Sequence, residues 1–389
     1  MHRIKTLNKI AAVGTRNFNK NKYEVGNTVE DPDAILVRSA NMLDMEFPDT
    51  LKAIARAGAG VNNIPVDQCS QKGIVVFNTP GANANAVKEL AIAALLLTSR
   101  KIISGVNWAK ELPLDADISK EVENGKKAFI GPELFGKSLG VFGLGAIGAM
   151  VANTASELGM VVYGNDPYLT VEGAWLLNHS VKRASDPKLI YDNCDYIAIH
   201  VPSTPETRGF INTKTIDQMK HGVRIINLSR GDLVNNSDMA QALESGKVGC
   251  YLTDFPSAEI LKMKNVIAIP HLGASTPESE DNCAVMAVSE LIDFLENGNI
   301  KNSVNFPDVI NPKGGDESIC VIHKNVPNML AQISSALSGE ALNIENLSSR
   351  SKKEYGYSVF EITGKCPDSV VDKLKSVDGI IRVNIVSNR

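Results

Sequence analysis

Several features that define other classes of protein are missing from this chain. Its longest apolar run is Leu90–Leu97, well short of the ~20 residues needed to span a bilayer. The N-terminal stretch also has too little apolar sequence for a convincing signal peptide. A net charge of -4 offers no basic surface for nucleic acid or for an anionic membrane. We therefore expect a cytoplasmic protein with no nucleic-acid partner and no membrane partner.

Metal-binding and disulfide patterns are missing as well. The six cysteines include no Cys-x-x-Cys pair, and the six histidines show no His-Glu-x-x-His spacing. Scattered cysteines in a long chain are typical of reduced, mostly buried thiols. The sequence predicts neither a disulfide framework nor a metal site.

What the chain does contain is an alternation of short apolar runs and helical patterns. The runs are rich in β-branched residues and are bounded by Gly, Pro, Asn or Asp, as buried parallel strands are. They are Ala34–Val37, Ile74–Phe77, Leu139–Phe142, Met160–Tyr163, Tyr196–His200, Arg224–Leu228 and Asn265–Ile269. The predicted helices between them include Asn85–Arg100, Gly145–Leu158, Thr213–Met219 and Ser237–Glu244. This order predicts α/β domains with doubly wound, Rossmann-like sheets.

The C-terminal part follows a different pattern. A segment rich in Pro and Gly, around residues 302–317, interrupts the alternation and predicts a linker. Beyond it, the predicted elements run β-α-β-β-α-β, which is the order of a ferredoxin-like module. Its predicted strands are Ser318–His323, Ile344–Arg350, Gly356–Thr363 and Ile380–Val386, and its predicted helices are Met329–Leu337 and Asp368–Val377. A module of this size suits regulation or assembly.

One glycine-rich turn predicts dinucleotide binding. Gly143, Gly145 and Gly148 have G-x-G-x-x-G spacing between a predicted strand and a predicted helix. This spacing allows a tight turn, a close approach of a pyrophosphate to the backbone and close packing of helix on strand. Ala146 and Ile147 open the helix, whose free N–H groups and positive dipole end favour an anion.

Asp166 supports NAD in preference to NADP. It follows Gly148 by 18 residues at the end of the next predicted strand, where an acidic side chain accepts bonds from ribose hydroxyls and repels a 2′-phosphate. The alternative is that Asp166 only opens the turn Asp166-Pro167, and the two roles are compatible.

Three further motifs follow in order: NLSRG at Asn227–Gly231, TDFPSAE at Thr253–Glu259 and PHLGAST at Pro270–Thr276. With the glycine turn, they resemble the D-isomer-specific 2-hydroxyacid dehydrogenases over roughly residues 34 to 305. Within that family the motif set is most similar to the phosphoglycerate dehydrogenases. The resemblance implies an NAD-dependent enzyme acting on a small-molecule substrate.

The resemblance also implies residue roles. Arg230 would bind the substrate carboxylate and carbonyl oxygen, and His271 would be the general acid/base. Glu259 would hydrogen-bond and orient His271, and Asp254 would contact the nicotinamide carboxamide. Further cofactor contacts would come from His200, Pro202, Thr207, Leu228, Ser229, Arg230, His271, Gly273 and Ala274. Taken singly, Arg230 could be a surface cation, His271 a turn residue and Glu259 a solvated charge. For His200 packing is favoured over catalysis.

The N-terminal part carries the residues that the resemblance assigns to substrate. Backbone amides of Gly60, Val61 and Asn62 would hold the carboxylate. Arg56 would meet a substrate phosphate, because a guanidinium binds phosphate with two parallel hydrogen bonds. The alternative for Arg56 is a solvated cation, and Arg38 is a second, weaker candidate.

The C-terminal module resembles a serine-binding ACT domain. The resemblance implies that His323, Asn325 and Asn343 could bind L-serine as an effector. Asn328 stands where the motif usually has Gly, and Asn tolerates a left-handed backbone better than most residues. Alternatively, the module only dimerises, or His323 is an ordinary strand residue.

Together these features predict two doubly wound domains, with the cofactor domain inserted in the other, and a C-terminal ferredoxin-like ACT domain. We assign substrate binding to 1–100 with 285–305, NAD binding to 101–284, a linker to 306–317 and regulation to 318–389. The leading hypothesis is oxidation of 3-phospho-D-glycerate with NAD, the first step of L-serine biosynthesis, by a homo-oligomer (dimer or tetramer). The alternatives are another acid of the family (glycerate, hydroxypyruvate or lactate) or a dinucleotide-sensing regulator with little catalysis.

Overall fold

The structure is a computed structural model that describes residues 1–340 and 342–387. The chain forms two compact units. Unit 1 consists of Met1–Asn83 and Pro277–Arg389, and unit 2 consists of Ala84–Thr276. Unit 2 is thus inserted into unit 1, and both predicted boundaries, near residues 100 and 285, lie further along the chain than these crossings. The predicted domain division therefore stays a prediction.

Unit 1 begins with a five-stranded parallel sheet of order β2-β1-β3-β4-β5. The strands are His2–Leu7 (β1), Tyr23–Gly26 (β2), Ala34–Val37 (β3), Ala53–Arg56 (β4) and Val75–Phe77 (β5). Short helices Ala12–Thr15 (α1) and Val66–Gln71 (α2) lie between them. Because apolar side chains cover both faces of β3 to β5, these strands are almost completely buried.

Unit 2 contains a seven-stranded parallel sheet of order β12-β11-β10-β9-β6-β7-β8. The strands are Ser138–Phe142 (β6), Val161–Asn165 (β7), Lys182–Arg183 (β8), Tyr196–Ile199 (β9), Val223–Asn227 (β10), Val248–Thr253 (β11) and Val266–Ala268 (β12). Counted within the unit, the order is that of a dinucleotide-binding sheet with one extra strand. The strand order reverses between β6 and β9, which confirms the doubly wound, Rossmann-like prediction.

Helices cover both faces of this sheet. The helices of unit 2 are Ala84–Ser99 (α3), Ile102–Lys110 (α4), Ile118–Gly125 (α5), Ala146–Glu157 (α6), Val171–Trp175 (α7), Pro187–Asn193 (α8), Thr213–Gln218 (α9) and Asn236–Glu244 (α10). One buried apolar cluster contains α3 and α6, and a second contains α8 to α10. Short 3-10 turns occupy Lys126–Phe129, Gly231–Leu233 and Ile260–Lys262.

A long helix, Pro277–Asn297 (α11), starts the return of the chain to unit 1. This helix was not predicted from the sequence, and the predicted boundary near residue 285 falls inside it. Its buried face packs into the same apolar cluster as Leu36, Ala55 and Phe77 of the five-stranded sheet. α11 therefore belongs structurally to unit 1.

The C-terminal module has the predicted β-α-β-β-α-β order. Its elements are Glu317–Lys324 (β13), Met329–Ser338 (α12), Ile344–Lys352 (β14), Tyr355–Ile362 (β15), Asp368–Lys375 (α13) and Ile380–Ser387 (β16). The sheet is antiparallel with the order β14-β15-β13-β16. The predicted module extends to residue 389, and its last two residues lie outside the described residues.

The segment before the module is packed against the rest of unit 1. Phe306 and Val309 are buried in the apolar cluster of α11, and the buried Asn305 accepts from Val76 N at 2.9 Å and donates to Ile74 O at 2.9 Å. The Tyr357 hydroxyl donates to Gly298 O at 2.6 Å. The segment predicted as a linker is therefore packed into an apolar cluster that also contains residues of the N-terminal sheet and of the module.

Among the described residues, no helix is both long enough and apolar enough to cross a membrane.

Candidate active site

The loops that carry the sequence motifs of unit 2 leave one edge of its sheet. All seven strands are parallel, so their carboxyl ends lie at the same edge. The glycine turn follows β6, Asp166 follows β7 and His200 follows β9. The loops that carry Arg230, Glu259 and His271 follow the adjacent strands β10, β11 and β12. Ligands bind in parallel α/β sheets at this edge, where the strand order reverses.

The glycine turn has the backbone that its spacing predicts. Gly143 has φ +85°, and a Cβ there would come within 2.7 Å of the carbonyl oxygen of His200. A Cβ on Gly148 would overlap the carbonyl oxygen of Gly143, so the helix packs directly on the turn. By contrast, a Cβ on Gly145 would have nothing within 4 Å. This side of the turn is open for the approach of a phosphate.

The helix that follows presents its first turn to this open side. Gly145 caps α6, with the exposed Ala146 and the half-buried Ile147 in the first turn. The first N–H groups of a helix have no partners within the helix and carry its positive dipole end. The residues therefore fit a pyrophosphate, as the sequence predicts.

Asp166 lies beside a cavity suited to the rest of a nucleotide. Its Oδ2 accepts from Leu144 N at 2.8 Å and its Oδ1 accepts from Tyr168 N at 2.8 Å. The second bond closes the turn at Asp166-Pro167, which is the alternative role predicted for Asp166. Asp166 also lines a cavity of about 560 Å³ together with Leu144, Asn165, Pro167 and Lys182. The two roles are therefore compatible, and the bonds fix the carboxylate at the edge of the cavity.

His200 and the loop after it support the same edge. Both ring nitrogens of His200 are buried and have no hydrogen-bond partner within the described residues. Burial lowers the pKa of His200 to about 4, so the imidazole is neutral near pH 7, which favours packing over proton transfer. The Thr207 hydroxyl donates to Pro202 O at 2.7 Å and accepts from Thr204 N at 2.8 Å. Thr207 thus fixes the loop that carries Pro202.

The side chain of Asn227 holds the NLSRG loop through hydrogen bonds to its backbone. This fully buried amide donates to Arg230 O at 2.7 Å and accepts from Ser229 N at 3.1 Å. The Ser229 hydroxyl donates to Ile199 O at 2.8 Å, and Leu228 is buried. Arg230 itself is exposed, and its Nη1 donates to Ser229 O at 2.6 Å. The loop is therefore fixed while the guanidinium faces outward.

His271 sits on a strained loop that Asp254 holds in place. His271 has φ +55°, a left-handed conformation that is uncommon outside Gly and persists where the surroundings fix it. The buried Asp254 accepts from Leu272 N at 2.7 Å and from Gly273 N at 2.8 Å. The His271 ring is exposed and lies 5.2 Å, centroid to centroid, from the ring of Phe255. Ala274, three residues after His271, is half-buried.

These bonds give Asp254 a structural task that the sequence reading did not anticipate. Both of its oxygens hold the histidine loop, so Asp254 positions His271. The predicted contact with the nicotinamide stays a prediction.

Glu259 has a different partner from the one predicted. Its Oε2 accepts from Asn236 Nδ2 at 3.0 Å, and no described hydrogen bond joins it to the ring of His271. Glu259 is exposed. Hydrogen bonds between catalytic groups often tighten only when a ligand binds. The orienting role of Glu259 therefore stays a prediction.

The candidate substrate residues belong to unit 1. Arg56 ends β4 and is half-buried, and its Nε donates to Arg38 O at 3.0 Å. Gly60 and Val61 are half-buried, and Asn62 is exposed, in the loop that follows. This loop is braced by Asn78, whose amide donates to Ala59 O at 2.5 Å. Arg38 forms an ion pair with Glu280 at 2.6 Å.

The three candidate effector residues of the module differ from one another. His323 is buried, with Nδ1 2.8 Å from Lys324 O and Nε2 2.9 Å from the hydroxyl of Ser358. Asn325 is exposed and donates to Lys353 O at 3.1 Å, and the exposed Asn343 donates to Glu345 Oε1 at 2.6 Å. His323 is thus engaged inside the module, whereas the two amides are accessible. Asn328 has φ +67°, the left-handed conformation that Asn tolerates.

Two supporting residues were missed by the sequence reading: Asn227 and Asn236. Asn227 stands inside the NLSRG motif at the end of a strand, a position from which an amide can bond the turn that follows. Nothing local marks Asn236, because its partner Glu259 is distant in sequence. Within the described residues, no group of three or more His, Cys, Asp or Glu side chains could hold a metal ion.

Comparisons with known proteins agree with this geometry. The profile of the family described as "D-isomer specific 2-hydroxyacid dehydrogenase, NAD binding domain" matches residues 92–273. The D-3-phosphoglycerate dehydrogenase of Haemophilus influenzae is 30% identical over 378 residues, which cover 93% of this chain and 88% of that protein. The enzyme of the same name from Synechocystis is 35% identical over 316 residues, which cover 78% of this chain and 54% of that protein.

Solved structures give the same result. The NAD+-bound 3-phosphoglycerate dehydrogenase of Entamoeba histolytica matches with a TM-score of 0.59 at 26% identity and covers 78% of this chain and 98% of its own. The D-mandelate dehydrogenase of Rhodotorula graminis matches with a TM-score of 0.68 at 22% identity, covering 80% of this chain and 99% of its own, and supports the fold alone.

The chain spans about half the length of several of its relatives, such as those of Synechocystis and Bacillus subtilis, at 54% each. The Haemophilus protein, by contrast, is matched over most of its length. The NAD prediction is confirmed by the family profile, and the chain belongs to the D-isomer specific 2-hydroxyacid dehydrogenase family.

Proposed function

We propose that this protein oxidises 3-phospho-D-glycerate to 3-phosphohydroxypyruvate with NAD, the first step of L-serine biosynthesis. The observation that carries the proposal is the arrangement at one edge of unit 2. There, three adjacent parallel strands end in the loops of Arg230, Glu259 and His271, beside a glycine turn open to phosphate. The names of the Haemophilus and Synechocystis relatives support the choice of substrate.

The reaction removes one hydrogen from the alcohol carbon, C2, and one from its hydroxyl oxygen. The glycine turn of Gly143, Gly145 and Gly148 would hold NAD, which would supply the acceptor for the hydride from C2. His271 takes the proton of the C2 hydroxyl, so that the C–O bond becomes a carbonyl, and it returns this proton in the reverse direction. Arg230, held by Asn227, binds the carboxylate and the carbonyl oxygen with its fork of donors. Glu259 stabilises the resulting imidazolium.

Arg56 is proposed to bind the substrate phosphate. Its Nε donates to Arg38 O at 3.0 Å, and a guanidinium is the side-chain group that binds a phosphate with two parallel hydrogen bonds. Arg56→Ala should raise the Michaelis constant for 3-phosphoglycerate about tenfold or more and that for glycerate far less. Arg16→Ala, which removes an exposed cation of the same unit, is the matched control. Equal effects of Arg56→Ala on both substrates would exclude the phosphate role.

The deciding experiment follows NADH absorbance with 3-phosphohydroxypyruvate as substrate. Turnover with this substrate, at a kcat/KM well above those for hydroxypyruvate and pyruvate, supports the proposal. A preference for an unphosphorylated acid would reassign the substrate within the family. No turnover with any of them would favour a dinucleotide sensor.

We also propose a homo-oligomer with L-serine as effector of the C-terminal module, in the cytoplasm. The accessible Asn325 and Asn343 supply the effector contacts, and His323 supports the end of β13, just before Asn325. Six free cysteines suit a reducing compartment. Sedimentation and the same assay with added L-serine test the first two points. Turnover that ignores serine would limit the module to assembly.

A further inference from the structure

A second cavity lies wholly within unit 1. It has a volume of about 530 Å³, within the range of small-molecule sites. One wall is a single face of α11, with residues spaced three or four apart: Asn282, Val285, Met286, Ser289, Glu290 and Asp293. The other walls are the turn Gly81–Ala82 and the segment Asn299–Asn302. None of these residues has a role in the proposed oxidation.

The cavity contains an incompletely paired buried acid. Glu290 is only 8% exposed, and its Oε1 accepts from Asn302 Nδ2 at 2.9 Å. Its Oε2 is buried and has no hydrogen-bond partner within the described residues. Buried carboxyl oxygens in proteins are nearly always paired. Turned toward the cavity that Glu290 lines, this carboxyl group would accept a hydrogen bond from a donor outside the chain.

The charges around the cavity indicate which donor fits. Its lining contains two acidic side chains, Glu290 and Asp293, and one basic side chain, Lys301. Asp293 already accepts from Asn297 and Asn299, at 2.6 and 2.8 Å. With Glu290 ionised the lining carries a net negative charge, which a cation with N–H groups would neutralise. We propose that this cavity binds a small primary ammonium compound, whose ammonium group donates to Oε2 of Glu290.

Proton release should accompany this binding. Burial raises the pKa of Glu290 to about 8. The Asn302 bond and the charge of Lys301 act against this shift, and Asp308 adds to it. Asp293 faces the same cavity from α11, and the Gly81–Ala82 turn contributes no titratable group. Near pH 7 the free site therefore holds a proton on Glu290, which the ammonium group displaces.

The test is a titration of the full chain with ethylammonium chloride, followed by ligand-observed NMR and by calorimetry in buffers of different ionisation enthalpy. We expect saturable binding with release of close to one proton at pH 7, and tighter binding as the pH rises toward 8. Tetramethylammonium, which has the charge but no N–H donor, should not bind. The proposal would be overturned if tetramethylammonium bound as tightly as ethylammonium. It would also be overturned if protons were taken up on binding, or if ethylammonium showed no saturable binding.

Variants locate the site. Glu290→Gln should weaken ethylammonium binding at least about tenfold, because a charge-assisted hydrogen bond is lost. Glu278→Gln makes the same change at an exposed position of α11 and should leave binding unchanged. Ser289→Leu fills the cavity without removing a charge and should also abolish binding, which provides a second test if Glu290→Gln folds poorly. Unchanged binding in both cavity variants would exclude the site.

Discussion

The loops at the edge of unit 2 and the C-terminal module differ in which polar side chains are buried and which are exposed. In unit 2, buried Asn227 and Asp254 hold the backbone, and the side chains of Arg230 and His271 are left exposed. In the module, His323 is itself buried, and both ring nitrogens are within hydrogen-bonding distance of neighbours in the module. A fixed backbone with a free side chain is suited to chemistry, whereas a side chain bonded on both sides is suited to stability.

The comparison explains why similar sequence signals lead to different roles. A histidine in a recognised motif was singled out in both regions. The two residues differ in what is held in place. For His271, the side chain of Asp254 holds the backbone of the loop and leaves the ring exposed. For His323, the ring itself contacts its neighbours.

The largest effect is expected from His271→Ala. It removes the proposed proton acceptor and should lower kcat by about a thousandfold, since general base catalysis contributes roughly 10²–10⁴. NADH binding, measured by fluorescence, should be retained. His221→Ala, at an exposed histidine of the same unit, should leave both unchanged. Undiminished turnover in His271→Ala would contradict the assigned role.

A smaller loss is expected from Asp254→Asn. The new amide can accept only one of the two backbone N–H groups, so the histidine loop should loosen and kcat should fall about a hundredfold. NAD affinity should change little. If NAD affinity falls instead while kcat persists, Asp254 contacts the nicotinamide directly, as the family resemblance implies. Asp217→Asn, at an exposed position, is the control.

His323→Ala should act on stability. The substitution removes the contact with Lys324 O and the buried contact with the hydroxyl of Ser358, which should cost about 1–3 kcal/mol of unfolding free energy. Urea denaturation measures this. Asn325→Ala, at an exposed position, should stay within about 0.5 kcal/mol. A large loss of serine response in His323→Ala with unchanged stability would reverse the comparison.

The smallest effect concerns acid stability. The folded pKa of His200 is about 4 and its unfolded pKa is near 6.5, so the unfolded chain binds the proton more readily. Stability from this group is therefore complete above about pH 6.5 and is lost as the pH falls toward 4. Between neutrality and about pH 5.5, the His200→Gln variant should lose about 1 kcal/mol less free energy of unfolding than the unsubstituted protein. Parallel pH profiles of the two proteins would contradict this.

Much of the fold was predictable from local sequence. β3 was predicted with its observed bounds, and all six elements of the C-terminal module were predicted within a few residues. Such elements carry their own signal, either a short β-branched run between turn residues or a helical apolar repeat.

Other elements were missed where that signal is weak. β1 and β11 contain polar residues among the apolar ones, so neither is a continuous apolar run. The start of α11 was missed because the periodicity of the sequence does not change where the chain passes from unit 2 to unit 1. The domain crossings at Asn83 and Pro277 are likewise defined by contacts between distant segments.

The sequence by itself determined the glycine turn, the acidic residue after β7, the ordered motifs and the module. Each depends on residues close together in the chain, whose backbone preferences and spacing are fixed locally. Only the tertiary structure decided that Asp254 holds the histidine loop, that Glu259 bonds Asn236 and that His323 is enclosed. These facts depend on which donor lies within about 3 Å of which acceptor, and that distance is set by the packing of segments far apart in sequence.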